Sequence, residues 1–217
     1  ASIFGSNLKE FGVVAKSMSK AKPHFIEVNI SCPNVEEEFG KPFGTDAKIS
    51  AQVTKIVKKN TSIPVIIKLS PNVPNISVIA EAVYKAGADA INAINTVGPG
   101  MIINIKAKKP MLANKVGGIH GPAIKPIEVR CVYDCYKAVK GKIPIIGTGG
   151  VTYGKDAVEM IMAGASAVGI GTGVYYRGID VFRKVNYEIE EIMEENGYKN
   201  IKEMIGIAHD WTTSNVR

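Results

Sequence analysis

The stretch PIIGTGG, residues 144–150, decides the fold, together with its counterpart AVGIGTG at 167–173. Each is a short apolar run that ends in glycines and leads into a helical pattern. Buried parallel strands read as continuous apolar runs rather than alternating ones. Glycines at a strand end let the backbone approach an anion closely, and the N–H groups that begin the next helix point at it. Toward the N-terminus the same kind of run recurs as ASIFG (1–5), FIEVNIS (25–31), VIIKLS (65–70) and AINAIN (90–95). Between the runs lie amphipathic stretches: AKISAQVTKIVKKN, ISVIAEAVYKAGA, IEVRCVYDCYKAVK and GKDAVEMIMAGA. Strand–helix alternation of this kind implies right-handed crossovers and a parallel sheet. DVFRKVNYEIEEIMEENG (180–197) continues as a longer helix with an acidic end and a glycine stop. No linker or low-complexity tract divides the chain, so residues 1–217 read as one α/β domain.

Six strands admit two architectures, an open doubly wound sheet or a (β/α)8 barrel with two units absent. A full barrel has eight strands and about 250 residues. The GTGG and GTG strands are the last two in the chain, and in a barrel the loops after strands seven and eight commonly form a phosphate site. A dinucleotide fingerprint should instead follow the first strand, and none occurs there. The reading is therefore a (β/α)8 TIM barrel of which this chain covers about six units, strands 3–8, incomplete at its N-terminus. On that reading the natural polypeptide is longer by roughly 80 to 100 residues, two β/α units. The present stretch made alone would expose two unpaired sheet edges, and is expected to be insoluble or molten, and inactive.

Composition sets the surroundings. The chain is 46% hydrophobic, enough for a sizeable core in 217 residues. It has no apolar run of about 18 residues and no secretory signal pattern, which argues against a membrane protein. Three cysteines, an odd number, fit neither a disulfide framework nor a two-pair zinc site. The expected compartment is the reducing cytoplasm, with no metal bound. Cys131 and Cys135 sit four apart in a helical stretch and are expected to pack against the sheet. The net charge of +7 is spread over patches such as VKKN (57–60) and KAKK (106–109). Without interleaved aromatics it does not indicate nucleic acid, and a field that steers anionic ligands fits as well.

Barrel enzymes keep their chemistry at the C-terminal ends of the strands. There FIEVNISCPN delivers Asn29, Cys32 and Asn34, VIIKLSP delivers Lys68, and INAINTVGPG delivers Asn95 and Thr96. A lysine in so apolar a run needs an acidic partner or an anion. Asparagine offers a donor and an acceptor on one side chain, which suits a ring with alternating N–H and C=O groups.

NISCPN, FGTD, VIIKLSPNV, NAINTVGPGM, KPMLANKVGG, HGPAIKP, PIIGTGG and GIGTG, in that order, resemble dihydroorotate dehydrogenase, in particular its NAD-linked class 1B catalytic subunit. The resemblance runs from Ala1 to about His209. It implies a barrel that holds FMN and oxidises dihydroorotate to orotate in pyrimidine synthesis. By position it makes Cys32 the catalytic base and gives Asn29, Asn34, Asn95 and Thr96 to the substrate. It gives Ser2, Asn29, Lys68, Ile94, Gly121, Gly149, Gly150, Gly171 and Thr172 to the flavin. Lys68 would lie near flavin N1 and O2, and the glycines mostly around the phosphate. The segment from Glu36 to Phe43, with Gly40 and Gly44 as hinges, reads as a lid. His120 stands where related sequences tend to carry a small residue. The resemblance also implies a homodimer joined by an iron–sulfur flavoprotein subunit, a heterotetramer in which the partner holds FAD and an iron–sulfur cluster and passes electrons to NAD. Dihydropyrimidine dehydrogenase usually has histidine at the position of Asn34, and the quinone-linked branch uses serine at that of Cys32. The fumarate-linked class 1A enzyme, a dihydropyrimidine dehydrogenase-like flavin barrel and a flavin-free phosphate-binding barrel remain as alternatives.

Overall fold

The computed structural model of the chain describes residues 1–31 and 43–210. Cys32, Asn34, most of the expected lid including Gly40, and the terminal TTSNVR lie outside those residues.

The described chain begins with β1 (Ser2–Ile3), α1 (Leu8–Ser19), β2 (Ile26–Asn29), α2 (Ala47–Asn60), β3 (Val65–Leu69), α3 (Ile76–Lys85) and β4 (Ala90–Ala93). Two small antiparallel pairs follow, β5 (Val97–Gly100) with β8 (Gly117–Ile119) and β6 (Ile103–Asn104) with β7 (Lys109–Pro110). Then come α4 (Lys125–Val139), β9 (Ile145–Thr148), α5 (Gly154–Ala163), β10 (Ala167–Gly169), α6 (Thr172–Arg177) and α7 (Val181–Asn196). Several helix starts are written in the sequence as side-chain caps. Asn7 accepts from the Glu10 N–H at 2.9 Å, and Asp46 accepts from Lys48 and Ile49 at 2.8 and 3.0 Å. Each such cap satisfies donors that the first helical turn cannot pair internally.

All six expected strands form one parallel sheet in the order β1-β2-β3-β4-β9-β10. Consecutive helices pack on one another, α1 on α2, α2 on α3, α3 on α4 and α4 on α5. A doubly wound sheet would split successive helices between its two faces. Here they line one face, as in a (β/α) barrel, and the strands occupy the places expected for strands 3–8.

Alternation along each strand divides its side chains between the helix layer and the barrel interior. Toward the helices point Ile3, Ile26, Val28, Val65, Ile67, Leu69, Ile91 and Ile145, all buried. Burying one such side chain is worth about 1.5–3 kcal/mol. Ser2, Glu27, Asn29, Lys68, Asn92 and Thr148 have the opposite parity. The strands that read as uniformly apolar therefore carry a polar inner face. The hairpins between β4 and α4 occupy a stretch to which the sequence pattern assigns no element. Cys131 and Cys135 are free thiols buried against the core, as expected. Gly44 lies in a buried turn where a side chain would come within 2.9 Å of the Ile30 carbonyl, so it serves close packing rather than a hinge.

Candidate active site at the strand C-termini

A cavity of about 690 Å3 opens at the C-terminal ends of β3, β4, β9 and β10. It brings together Lys68, Ile94, Asn95, Thr96, Gly121, Gly149, Gly150, Gly171 and Thr172. Each of these was singled out in the sequence. His120, Ile124, Thr148, Tyr175 and Tyr176 complete the lining.

On the glycine side, Gly149 and Gly150 have φ of 144° and 76°, in the region that favours glycine. A side chain on Gly150 would also meet Lys125 Cβ at 2.7 Å and the Gly121 carbonyl at 3.0 Å. Around Gly171 the space is open. The cradle is braced from behind. Asp156 at the start of α5 accepts from Thr152 N at 3.0 Å, Tyr153 N at 2.8 Å and Lys125 Nζ at 2.9 Å. Burial pushes the Asp156 carboxyl up, but the Lys125 hydrogen bond and the two backbone donors outweigh it and hold the carboxyl below its usual value. Burial likewise pulls Lys125 down, while its bonds to Asp156 and Glu159 leave it raised overall. Arg177 at the end of α6 pairs with Glu188 at 2.6 Å and donates to the Thr152 carbonyl at 2.9 Å. The Thr172 hydroxyl is hydrogen-bonded to His120 Nδ1 at 2.8 Å.

On the opposite side, Lys68 finds the acidic partner its setting required. Glu27 Oε1 lies 3.8 Å from Lys68 Nζ. Glu27 also accepts from Asn92 Nδ2 at 2.6 Å and from the Ser2 hydroxyl at 3.3 Å. Ser2 is thus joined to the interior polar network and does not line the cavity. Asn29 Oδ1 accepts from Ser31 N at 3.1 Å, the Ser31 hydroxyl at 2.9 Å and Asn95 Nδ2 at 3.3 Å. The last of these bonds links the ends of β2 and β4 and holds Asn29 beside Asn95. The Thr96 carbonyl accepts from Asn72 Nδ2 at 3.2 Å, which ties the loop after β3 to the loop after β4.

Four groups that matter here escaped the sequence reading: Glu27, Asn92, Glu128 and Asp156. Glu27 carried a signal, a charge in an apolar strand with the same parity as Asn29. Glu128 carried one too, since it shares a helical stripe with Cys131, Val132, Cys135 and Val139. Taken together, the arrangement offers a glycine-lined cradle at one end, a lysine held by a carboxylate, and side-chain amides beside it.

The sequence matches the family model for dihydroorotate dehydrogenase over residues 1–193. It is 44% identical over 210 residues to the "Dihydroorotate dehydrogenase B (NAD(+)), catalytic subunit" of Methanothermobacter thermautotrophicus, covering 97% of this chain and 68% of that protein. It is 49% identical over 209 residues to the protein of the same name in Methanocaldococcus jannaschii, covering 96% and 66%. The chain thus spans about two thirds of the length of these curated relatives. Among solved structures, ligand-free DHODH from Eimeria tenella matches with a TM-score of 0.78 at 24% identity, covering 93% of this chain and 60% of that one. The same enzyme in complex with ferulenol gives 0.77 at 23%, covering 93% and 58%. These two likenesses speak to the fold.

Proposed function

We propose, for a chain that belongs to the dihydroorotate dehydrogenase family, that it forms the FMN-holding part of an enzyme oxidising (S)-dihydroorotate to orotate in pyrimidine biosynthesis. The observation that carries this reading is one cavity in which the glycine loops after β9 and β10 meet Lys68, Asn95 and Thr96. The residues present fit FMN. Gly149, Gly150 and Gly171 line the cavity, the space around Gly171 is open, and the volume is of the size that cofactor sites have. Gly121 and Thr172 would complete the phosphate end, with Ile94 against the ring. Lys68 would place its ammonium near the pyrimidine edge of the ring.

When bound, FMN supplies the hydride acceptor for C6 of the substrate. Cys32 Sγ would take the proton from C5 as general base. Asn29 and Asn95, with Thr96 and Asn34, would hold the substrate ring by paired donors and acceptors. Amide N–H groups directed at the ring carbonyl would stabilise the charge that develops as C5 loses its proton. Only a few per cent of an ordinary thiol is ionised at pH 7, its pKa being about 8.5, so the rate should rise into the alkaline range.

The relatives' name, an NAD(+)-linked catalytic subunit, supports a partner that carries electrons onward to NAD. We assign FAD and an iron–sulfur cluster to that partner, and a homodimer of this chain to the core of a heterotetramer. An iron–sulfur cluster generally takes four thiolates. This sequence has three cysteines, and two of them are buried within α4. Among the described residues no helix is long and apolar enough to cross a membrane.

The test is flavin content. The natural full-length protein should purify yellow, with about one FMN per chain released on denaturation. Protein that neither retains nor rebinds FMN would refute the reading.

A further inference from the structure

Glu128 is the most anomalous side chain in the described structure. It sits on the first turn of α4, is 0% exposed, and neither carboxyl oxygen has a hydrogen-bond partner. Its Oε2 fills the space behind Gly149, so that any side chain at Gly149 would collide with it. The carboxyl is therefore packed directly against the loop that forms the anion cradle.

We propose that Glu128 is a proton-holding positioning residue of the flavin site: as a neutral acid it props the Gly149 loop without opposing an anion, and as a carboxylate it would repel that anion. The inference rests on the FMN reading above. It follows from two facts of placement. An unpaired carboxylate buried without donors is unfavourable, so the acid form is the one this pocket accommodates. The ligand proposed for the loop carries a phosphate, and a second negative charge just behind the cradle would work against it.

The electrical surroundings agree. Burial pushes the Glu128 carboxyl up to about 9, and the positive charge of Lys68 only partly offsets it. Among the described residues Lys68, on β3, is the one charge that acts on it, although α3, α5, β4 and β9 all pack against α4. Lys125, at the start of the same helix, is bound by Asp156 and Glu159 of α5. Cys131, one turn along, feels Glu128 but is itself pushed up to about 11, mainly by burial. Lys68 is also paired with Glu27. A neutral Glu128 leaves Lys68 with a single carboxylate partner, whereas an ionised one would add a second and spend its charge inside the protein.

The test is FMN binding by the apo form of the natural full-length protein, followed through quenching of flavin fluorescence from pH 6 to 10. Glu128→Gln has the shape of the neutral acid and cannot ionise. Wild type and E128Q should bind FMN equally at pH 7. Above pH 9 the wild-type dissociation constant should rise relative to E128Q, by about fourfold at pH 9.5 for one linked proton. E128Q shares every other alkaline titration of the protein and of the flavin, so the ratio isolates Glu128. A ratio that stays flat to pH 10, or a weakened E128Q at pH 7, would overturn the proposal. An infrared difference spectrum stands apart from flavin binding. At pH 8 a protonated-carboxyl C=O band should be present in wild type and absent in E128Q, and its absence from wild type would overturn the proposal. If wild type binds no FMN at any pH, it is the flavin reading that fails, and the infrared result still decides the state of Glu128.

Discussion

Asp156 is where fold stability and the proposed cofactor cradle should fail together. Its side chain is nearly buried and accepts three hydrogen bonds, one from Lys125 and two from backbone N–H groups on the stretch leaving Gly150. Asp156→Asn keeps the volume but not the chemistry. One amide oxygen cannot serve both sides, so the new NH2 faces either the Lys125 ammonium or the two N–H donors. A lost hydrogen bond to a charged group is worth about 1.5–3 kcal/mol, and a stranded buried donor costs about 1–3 more. Glu159 still holds Lys125 at 3.0 Å and keeps the total from reaching the upper sum. A destabilisation of about 2–4 kcal/mol is expected, on the order of 10 °C in melting temperature for a domain of this size. Loosening one anchor of the loop, about 1 kcal/mol, should also weaken FMN roughly fivefold. The pH dependence has a definite sign. The folded Asp156 carboxyl lies below its unfolded value. Its contribution is present above about pH 4 and is lost as pH falls through the folded value. The wild type should therefore lose its advantage over D156N in acid. Thermal unfolding of both apo proteins between pH 3 and 8, with FMN titrations at pH 7, measures all of this. A D156N protein that melts within about 1 °C of wild type at neutral pH would refute the reasoning.

Cys32→Ser should keep its flavin yet lose about 100- to 10,000-fold of its rate at neutral pH, the usual range for loss of a general base. Near-normal flavin reduction in a single turnover would put the base elsewhere. Lys68→Ala should bind FMN more weakly and shift its reduction potential to more negative values, read by dye equilibration, because a cation beside the ring favours the reduced form. An unchanged potential with intact flavin would leave Lys68 as a partner for Glu27 alone. Purified without its proposed partner, the protein should reduce NAD far more slowly than the reconstituted complex, and equal steady-state rates would remove the partner from the scheme.

The layout of the fold was legible because its signals are local. Apolar runs such as VIIKLS, the capping residues Asn7 and Asp46, and the glycines that close PIIGTGG each act within a few residues. The cradle and Lys68 were legible for the same reason, since barrel topology brings strand ends together. The pairs that finish the site are long-range. Asn92 reaches Glu27 across 65 residues of chain, and Lys125 reaches Asp156 across 31. A one-dimensional pattern shows that Lys68 needs a carboxylate but not which one. The hairpins of residues 97–119 were hidden because their strands are two to four residues long and rich in glycine and proline, too short for a period to register. Glu128 was visible as a charge at a core position of a helix, and only packing revealed the absence of any partner.

The central claim is that this cavity holds FMN and delivers dihydroorotate to it. Anaerobic mixing of the FMN-loaded natural full-length protein with (S)-dihydroorotate, followed by stopped-flow absorbance without any electron acceptor, tests that claim most directly. The flavin band should bleach in one turnover, with one orotate formed per FMN and a rate that rises with pH. Flavin that stays oxidised in saturating dihydroorotate, while remaining reducible by dithionite, would contradict the account.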